Sequence, residues 1–167
     1  MKIFVPDYYF ERFDLISPEF LVSIGVKGVV LDVDNTLEPY ENPTPGEHVI
    51  AWLSALKDNG ISCAIVSNND AKRIDLFNSC IGLPAYSKAG KPFAKNVKRA
   101  MNDMGVSPGE TLCIGDQVFT DVWAAHNAHA RAALVPPIKD KTDLLTKFKR
   151  LLERPILSKL EMIREEK

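Results

Sequence analysis

Two aspartates stand two residues apart where an apolar run ends: Asp32-Val33-Asp34-Asn35-Thr36-Leu37. Alternation along an extended chain points Asp32 and Asp34 the same way, so both carboxylates leave the strand together. Such a pair can bind a hard cation, and one acid can serve as nucleophile while the other moves a proton. An acidic loop with an Asx turn would use the same residues. Ser67-Asn68-Asn69 closes a second apolar run and offers a hydroxyl and amides to phosphate oxygens, or equally to a turn and a helix cap. Gly90-Lys91-Pro92 sets a lysine at the start of a helical pattern, where it suits an anion or simply faces solvent. A fourth run ends in Gly115-Asp116, with Asp121 near the next helix start, where a cap role competes with a chemical one.

The elements that must position these groups alternate along the chain. Strands are expected at Val26–Leu31, Ile61–Val66, Pro84–Ser87, Thr111–Ile114 and Arg131–Val135. Helices are expected at Glu47–Asn59, Ala71–Cys80, Pro92–Met104 and Phe119–Ala128, with Gly60, Gly82 and Gly105 as stops. Strand–helix alternation predicts an α/β fold: a parallel sheet with helices on both faces and its chemistry at the carboxyl ends of the strands. The polar clusters fall there.

The 167 residues suit one domain with short extensions, and 46% hydrophobic with 26% charged residues excludes wholesale disorder. A net charge of −1 provides no general field for nucleic acid. The distribution is uneven: residues 1–50 hold 3 basic and 9 acidic groups, residues 139–167 hold 9 basic and 6 acidic. Cys63, Cys80 and Cys113 form no C-x-x-C pair, which fits a reducing compartment without disulfides or a zinc site. No apolar stretch approaches the ~18 residues of a membrane span, and acids interrupt the N-terminus where a signal peptide would be apolar. The expected location is cytoplasmic, peripheral to the inner face of the membrane at most.

In order, the motifs are D-x-D-x-T-L, Ser, Lys and G-D-x-x-x-x-D, each following an apolar run. This combination resembles the four-motif signature of the haloacid dehalogenase (HAD) superfamily of aspartate-nucleophile phosphotransferases, across residues 26–138. A response-regulator receiver also uses acids, a hydroxyl and a lysine, but there the lysine follows the last strand, whereas Lys91 precedes Asp116. The stretches V-L-D-V-D-N-T-L, I-V-S-N-N, A-G-K-P and I-G-D-Q-V-F-T-D, followed by V-P-P-I, are similar to the YqeG-like subfamily IIIA phosphatases. Those are related to the mitochondrial-type phosphatidylglycerophosphatases. A Pro-Asp-Tyr segment near the start and the Thr146–Glu153 segment agree with that family. The chain departs from it after Asp121, where Ala124-Ala125-His126…His129 replaces a Gly-Gly-Asn…Gly run. His126 and His129, at i and i+3, could hold a transition metal, although an end-capping or surface role fits two histidines with no third ligand better.

The resemblance implies a three-layer Rossmann-like HAD fold without a cap domain. Asp32 would be the nucleophile and Asp34 the acid and base, with Ser67 and Lys91 as catalytic phosphate binders. Thr36 and Asn68 would also contact the phosphate. Mg²⁺ would be held by Asp32, the Asp34 backbone carbonyl and Asp116, with Asp121 behind them or ligating through water. Only residues 38–45 separate Leu37 from the next helix, and the 22 residues between Asn68 and Lys91 are used by a helix and a short strand, so no cap fits. An open site suits a phospholipid headgroup at a membrane surface, a phosphoprotein, or closure by a second subunit in a homo-oligomer. The substrate that the resemblance suggests is phosphatidylglycerophosphate. A soluble sugar or nucleotide phosphate is the alternative enzyme reading, and a non-catalytic phosphate-binding regulator is the other.

The expected division is an aromatic-rich extension over residues 1–25, a phosphatase core over 26–138 and a helical segment over 139–167. The extension holds six of the 14 aromatic residues, suited either to a headgroup boundary or to packing on the domain. In the last segment Leu144, Leu145, Phe148, Leu151 and Leu152 have core-facing spacing. Ile156, Leu157, Leu160 and Ile163 fit either role.

Overall fold

The computed structural model describes residues 2–139, 152–153, 155–158 and 160–161. Six strands form one sheet: β1 (Tyr8–Tyr9), β2 (Gly28–Leu31), β3 (Ser62–Val66), β4 (Ala85–Tyr86), β5 (Thr111–Gly115) and β6 (Arg131–Leu134). Their spatial order is β1-β6-β5-β2-β3-β4, and every pairing is parallel. The central strand β2 is in register with both neighbours: Gly28 opposes Ser62 and Thr111, and Leu31 opposes Ile65 and Ile114. All three strands therefore end level, and the residues after them emerge at one edge.

The strands read as continuous apolar runs because both sheet faces are covered. Val29, Leu31, Cys63, Ile65, Leu112 and Ile114 turn to one face. There they meet α1 (Pro18–Ser23), α2 (Glu47–Asp58) and α3 (Ala71–Asn78) through Leu21, Leu56 and Phe77. Val30, Ala64, Val66, Cys113 and Leu134 turn to the other face. That face is covered by α4 (Lys95–Met104) and α5 (Trp123–Asn127) through Val97, Met101 and Ala125. The result is the expected three-layer α/β architecture. Burial at both faces pushes the Cys63 and Cys113 thiols up to about 12, so neither is a reactive thiolate.

Two helix starts differ from expectation. The helix expected from Pro92 begins at Lys95, because Gly90 to Ala94 form a turn closed by Phe93 N–H donating to the Gly90 carbonyl (2.9 Å). The helix expected from Phe119 begins with a wider π turn over Val118–Val122 before α5.

The N-terminal segment contributes a strand that periodicity did not reveal. Phe10 N–H donates to the Leu134 carbonyl (3.0 Å), and Asp7 N–H to that of Ala132 (2.9 Å). Phe10 and Phe13 are buried, with Tyr8 and Phe20 packed against them. Trp52 Nε1–H donates to the Ile16 carbonyl (2.9 Å). These aromatics face the core, which corrects the headgroup-boundary option for Tyr8, Phe10, Phe13 and Phe20. Phe10→Ala is therefore expected to cost about 3–5 kcal/mol, read as a lower urea midpoint with unchanged slope.

Of the expected C-terminal helix, Leu144, Leu145, Phe148 and Leu151 lie outside the described residues, as do residues 146–151 of the Thr146–Glu153 segment. Leu152 is exposed, and Ile156 and Leu157 pack on the cluster beneath α4 and α5. Glu153 is buried, and its Oε1 accepts from Val118 N–H (3.0 Å) at the start of the π turn.

Candidate active site

The residues after β2, β3 and β5 converge at the carboxyl edge of the sheet. Lys91 binds them together: its Nζ donates to Asp32 Oδ1 (2.7 Å) and to Asp121 Oδ1 (2.6 Å), and only 6% of its side chain is exposed. Burial alone would lower the pKa of the lysine, but Asp121 and Asp32 outweigh it and raise it. For Asp32 the balance runs the other way. Burial is the largest effect, and with the Asp121 and Asp34 carboxylates it outweighs Lys91 and pushes the carboxyl up to about 6. The other Asp32 oxygen accepts from Thr36 Oγ1 (3.2 Å).

Asp32, Asp116 and Asp121 each offer a carboxylate oxygen within 4.8 Å of the others. Adding Asp34 gives four formal negative charges at this edge against two cations, Lys91 and Arg73. Clustered carboxylates in excess of the nearby cations are a donor set that a hard divalent ion such as Mg²⁺ accepts. Both Asp121 oxygens already serve protein donors, Lys91 and the Gln117 backbone N–H (3.0 Å). Asp121 thus holds Lys91 and the turn after β5.

Gly115 is required by this arrangement. A Cβ placed on it would lie 2.3 Å from Asp121 Cβ and Cγ. The backbone here approaches a side chain of the chain itself. Gly115→Ala is expected to displace Asp121 from Lys91, lowering kcat by about tenfold or more and stability by about 1–3 kcal/mol. Steady-state kinetics and thermal unfolding of the purified variant check both.

The turn after Asp34 has Asn35 at φ 64, a left-handed conformation that asparagine tolerates. Asp34 itself stands apart from the three clustered acids. Its Oδ1 accepts from Arg73 Nε (3.1 Å) and Nη2 (2.9 Å), and its Oδ2 accepts from Asn69 Nδ2 (2.7 Å). Sequence reading missed both partners. Arg73 reaches from the first turn of α3, whose N-cap Asp70 accepts from the Arg73 N–H (2.8 Å). A basic residue three positions past an N-cap was the available signal, but nothing local says which face of α3 meets Asp34.

Ser67 is buried beside the site, and its Oγ accepts from Asn69 N–H (3.2 Å). Asn68, expected at the phosphate, commits its amide to the backbone of Lys91. Lys91 N–H donates to Asn68 Oδ1 (2.7 Å), and Asn68 Nδ2 donates to the Lys91 carbonyl (3.1 Å). This double bond pair fixes where the lysine enters.

His126 and His129 do not form a metal pair. His126 Nδ1 lies 2.7 Å from the Ile3 carbonyl oxygen and Nε2 lies 3.1 Å from Asp7 Oδ2, so its ring ties α5 to the N-terminal segment. His129 takes φ 63 where the helix ends. Away from the acids, a groove of about 560 Å³ lies at the amino end of β3, lined by Leu53, Ile61, Cys80 and Met104 among others.

The haloacid dehalogenase-like hydrolase family model matches residues 38–129. A probable phosphatase of Bacillus subtilis, YqeG, is 37% identical over 96% of this chain and 93% of its own length. A glyceraldehyde 3-phosphate phosphatase of Pyrococcus furiosus is 27% identical over 72% of this chain and 52% of its own. Among solved structures, the cobalt-bound deoxy-D-mannose-octulosonate 8-phosphate phosphatase of Haemophilus influenzae superposes with a TM-score of 0.53 at 17% identity, covering 80% of this chain and 88% of that one. CbbY of Rhodobacter sphaeroides, in complex with phosphate, gives 0.51 at 13% identity over 71% and 89%. The two structural likenesses carry the fold, and the family match and the YqeG relationship carry the descent. The chain belongs to the haloacid dehalogenase-like hydrolases, as a phosphatase of that family.

Proposed function

We propose that this chain hydrolyses phosphate monoesters through a phosphoryl group carried on Asp32, and that its substrate is phosphatidylglycerophosphate. The observation that carries the chemistry is the Lys91 ammonium bridging Asp32 and Asp121 beside Asp116. Asp32 attacks phosphorus as the bond to the leaving oxygen breaks, and Asp34 gives that oxygen a proton. Asp34 then takes a proton from the water that attacks the phosphoryl group, freeing phosphate and restoring Asp32. Lys91 bears on the phosphoryl oxygens throughout, with Ser67 and Thr36 as hydroxyl partners. Asp32, the Asp34 carbonyl and Asp116 are the residues that would hold Mg²⁺. The ion would supply charge neutralisation at the phosphoryl oxygens.

The lipid assignment rests on the similarity to the phosphatidylglycerophosphatase-related family and on the open edge. Tyr40, Phe93 and Ile138 are exposed. They belong to the segments that follow Asp34, Lys91 and β6, and Ile138 N–H donates to the Asn35 carbonyl (3.0 Å). Exposed apolar side chains in the segments that follow the site residues suit a substrate delivered from a membrane surface. Among the described residues no helix is long and apolar enough to cross a membrane. The reading is of a cytoplasmic enzyme that meets the inner membrane face peripherally, with residues 26–138 carrying the chemistry.

The test is phosphate release from phosphatidylglycerophosphate in mixed micelles, with Mg²⁺ or with EDTA, and Asp32→Asn as the blank. Release that needs the ion and that the variant lacks is the expected result. Intact lipid alongside cleavage of an aryl phosphate would retain the chemistry and reject the lipid.

A further inference from the structure

The acid/base group of this site is held by a residue that no motif contains. Asp34 leaves the sheet just before the left-handed turn at Asn35, and both of its oxygens are fixed from α3 and the loop before it. Arg73 grips Oδ1 with two nitrogens, and its third, Nη1, donates to the Pro43 carbonyl (2.9 Å), so the guanidinium is anchored at a second point. Its central carbon lies 5.4 Å from the ring centroid of Phe77, a buried residue of the core, and 5.8 Å from that of Tyr40. Only 9% of the Arg73 side chain and 12% of that of Asp34 are exposed. A planar fork anchored at both ends sets the orientation of the carboxylate it grips, which a lysine with one rotating ammonium cannot do.

We propose that Arg73 is the positioning residue for proton transfer by Asp34, fixing the carboxyl so that it meets the leaving oxygen. This rests on the acid/base role proposed above for Asp34. The consequence is specific to the leaving group. An alkyl phosphate expels an alkoxide, which needs the proton as the P–O bond breaks. A nitrophenyl phosphate expels a stable phenolate, which does not. Loss of Arg73 therefore harms the first class of ester and spares the second.

The experiment measures kcat/KM, which reports the first phosphoryl transfer, for glycerol phosphate and p-nitrophenyl phosphate. The proteins are the wild type, Arg73→Gln, Arg73→Lys, Asp34→Asn and the Arg73→Gln/Asp34→Asn double variant. Arg73→Gln is expected to lose about 10²-fold on the alkyl ester and no more than about threefold on the aryl ester. Arg73→Lys is expected to fall between it and the wild type. In the Asp34→Asn background Arg73→Gln should have no further effect, because the residue acts only through that carboxyl.

An equal loss on both esters, or a loss that adds fully to that of Asp34→Asn, would overturn the proposal in favour of a packing role. Should Arg73→Gln fail to fold, Arg73→Lys carries the same comparison, and an ester-independent effect there is equally fatal. If Asp34→Asn itself does not discriminate between the esters, the acid/base reading fails and takes this inference with it. If Asp34→Asn discriminates and the Arg73 variants do not, the inference fails alone.

Discussion

Asp32→Asn is expected to lower turnover by roughly 10⁴–10⁶-fold while making the metal-free protein more stable at pH 8. The first part follows from removing the proposed nucleophile, which leaves only the phosphate-binding groups to act. The second follows from the environment of the carboxyl. Burial, then the Asp121 and Asp34 charges, outweigh Lys91 and push its pKa from 3.8 up to about 6. The folded state thus holds the Asp32 proton more tightly than the unfolded chain. That contribution is fully present below about pH 4 and is lost as pH rises through about 6. At pH 8 the wild type carries an ionised, buried carboxylate that asparagine does not. Removing it should be worth on the order of 1–3 kcal/mol, at about 1.4 kcal/mol per pK unit. Thermal unfolding in EDTA at pH 4, 6 and 8 checks this. The variant's advantage should be absent at pH 4 and grow toward pH 8.

Lys91→Ala carries the second large effect, with the opposite sign for stability. The side chain makes two ion pairs in a site where 6% of it, 11% of Asp32 and 6% of Asp121 remain exposed. Removing one partner of a buried pair leaves uncompensated charge and costs about 3–5 kcal/mol. Here two carboxylates lose their counter-charge together. Turnover should fall by about 10²–10³-fold, the scale for losing one charge-stabilising group. Lys91 also holds the Asp32 pKa down, so its loss raises that pKa further and widens the acid range in which Asp32 is protonated. The instability of Lys91→Ala should therefore be greatest at pH 8 and partly recovered below pH 6. Denaturant midpoints measured at both pH values would decide it. A variant equally unstable at both would mean that lost packing dominates.

The central strands were legible because burial on both faces makes them continuous apolar runs, and the acids that follow them were legible because parallel sheets gather chemistry at that edge. Strand β1 was not. Two tyrosines make no period, and their place in the sheet depends on β6, more than 120 residues later. The start of α4 was misplaced because proline at a first turn is a general helix signal, whereas Phe93 N–H bonds back to Gly90 here. In the site, Asp32, Lys91, Asp116 and Asp121 were found because their order and spacing are unusual. Arg73, Asn69 and Glu153 were not, since each acts on a residue far away in sequence: Asp34 for the first two and Val118 for the third. Asn68 shows the converse. Its type suited phosphate, but the Lys91 backbone lies close enough to claim it.

The claim that everything else leans on is covalent: the phosphoryl group passes to Asp32. The direct measurement uses Asp34→Asn with p-nitrophenyl phosphate and Mg²⁺, since the aryl ester needs no acid to leave while hydrolysis of the acyl phosphate does need a base. After acid quench and borohydride reduction, peptide mapping should find Asp32 converted to homoserine, with a burst of nitrophenol stoichiometric with enzyme. A burst with Asp32 unmodified and another residue labelled would contradict the assignment. Nitrophenol release without a burst or any labelled residue would mean that water attacks phosphorus directly.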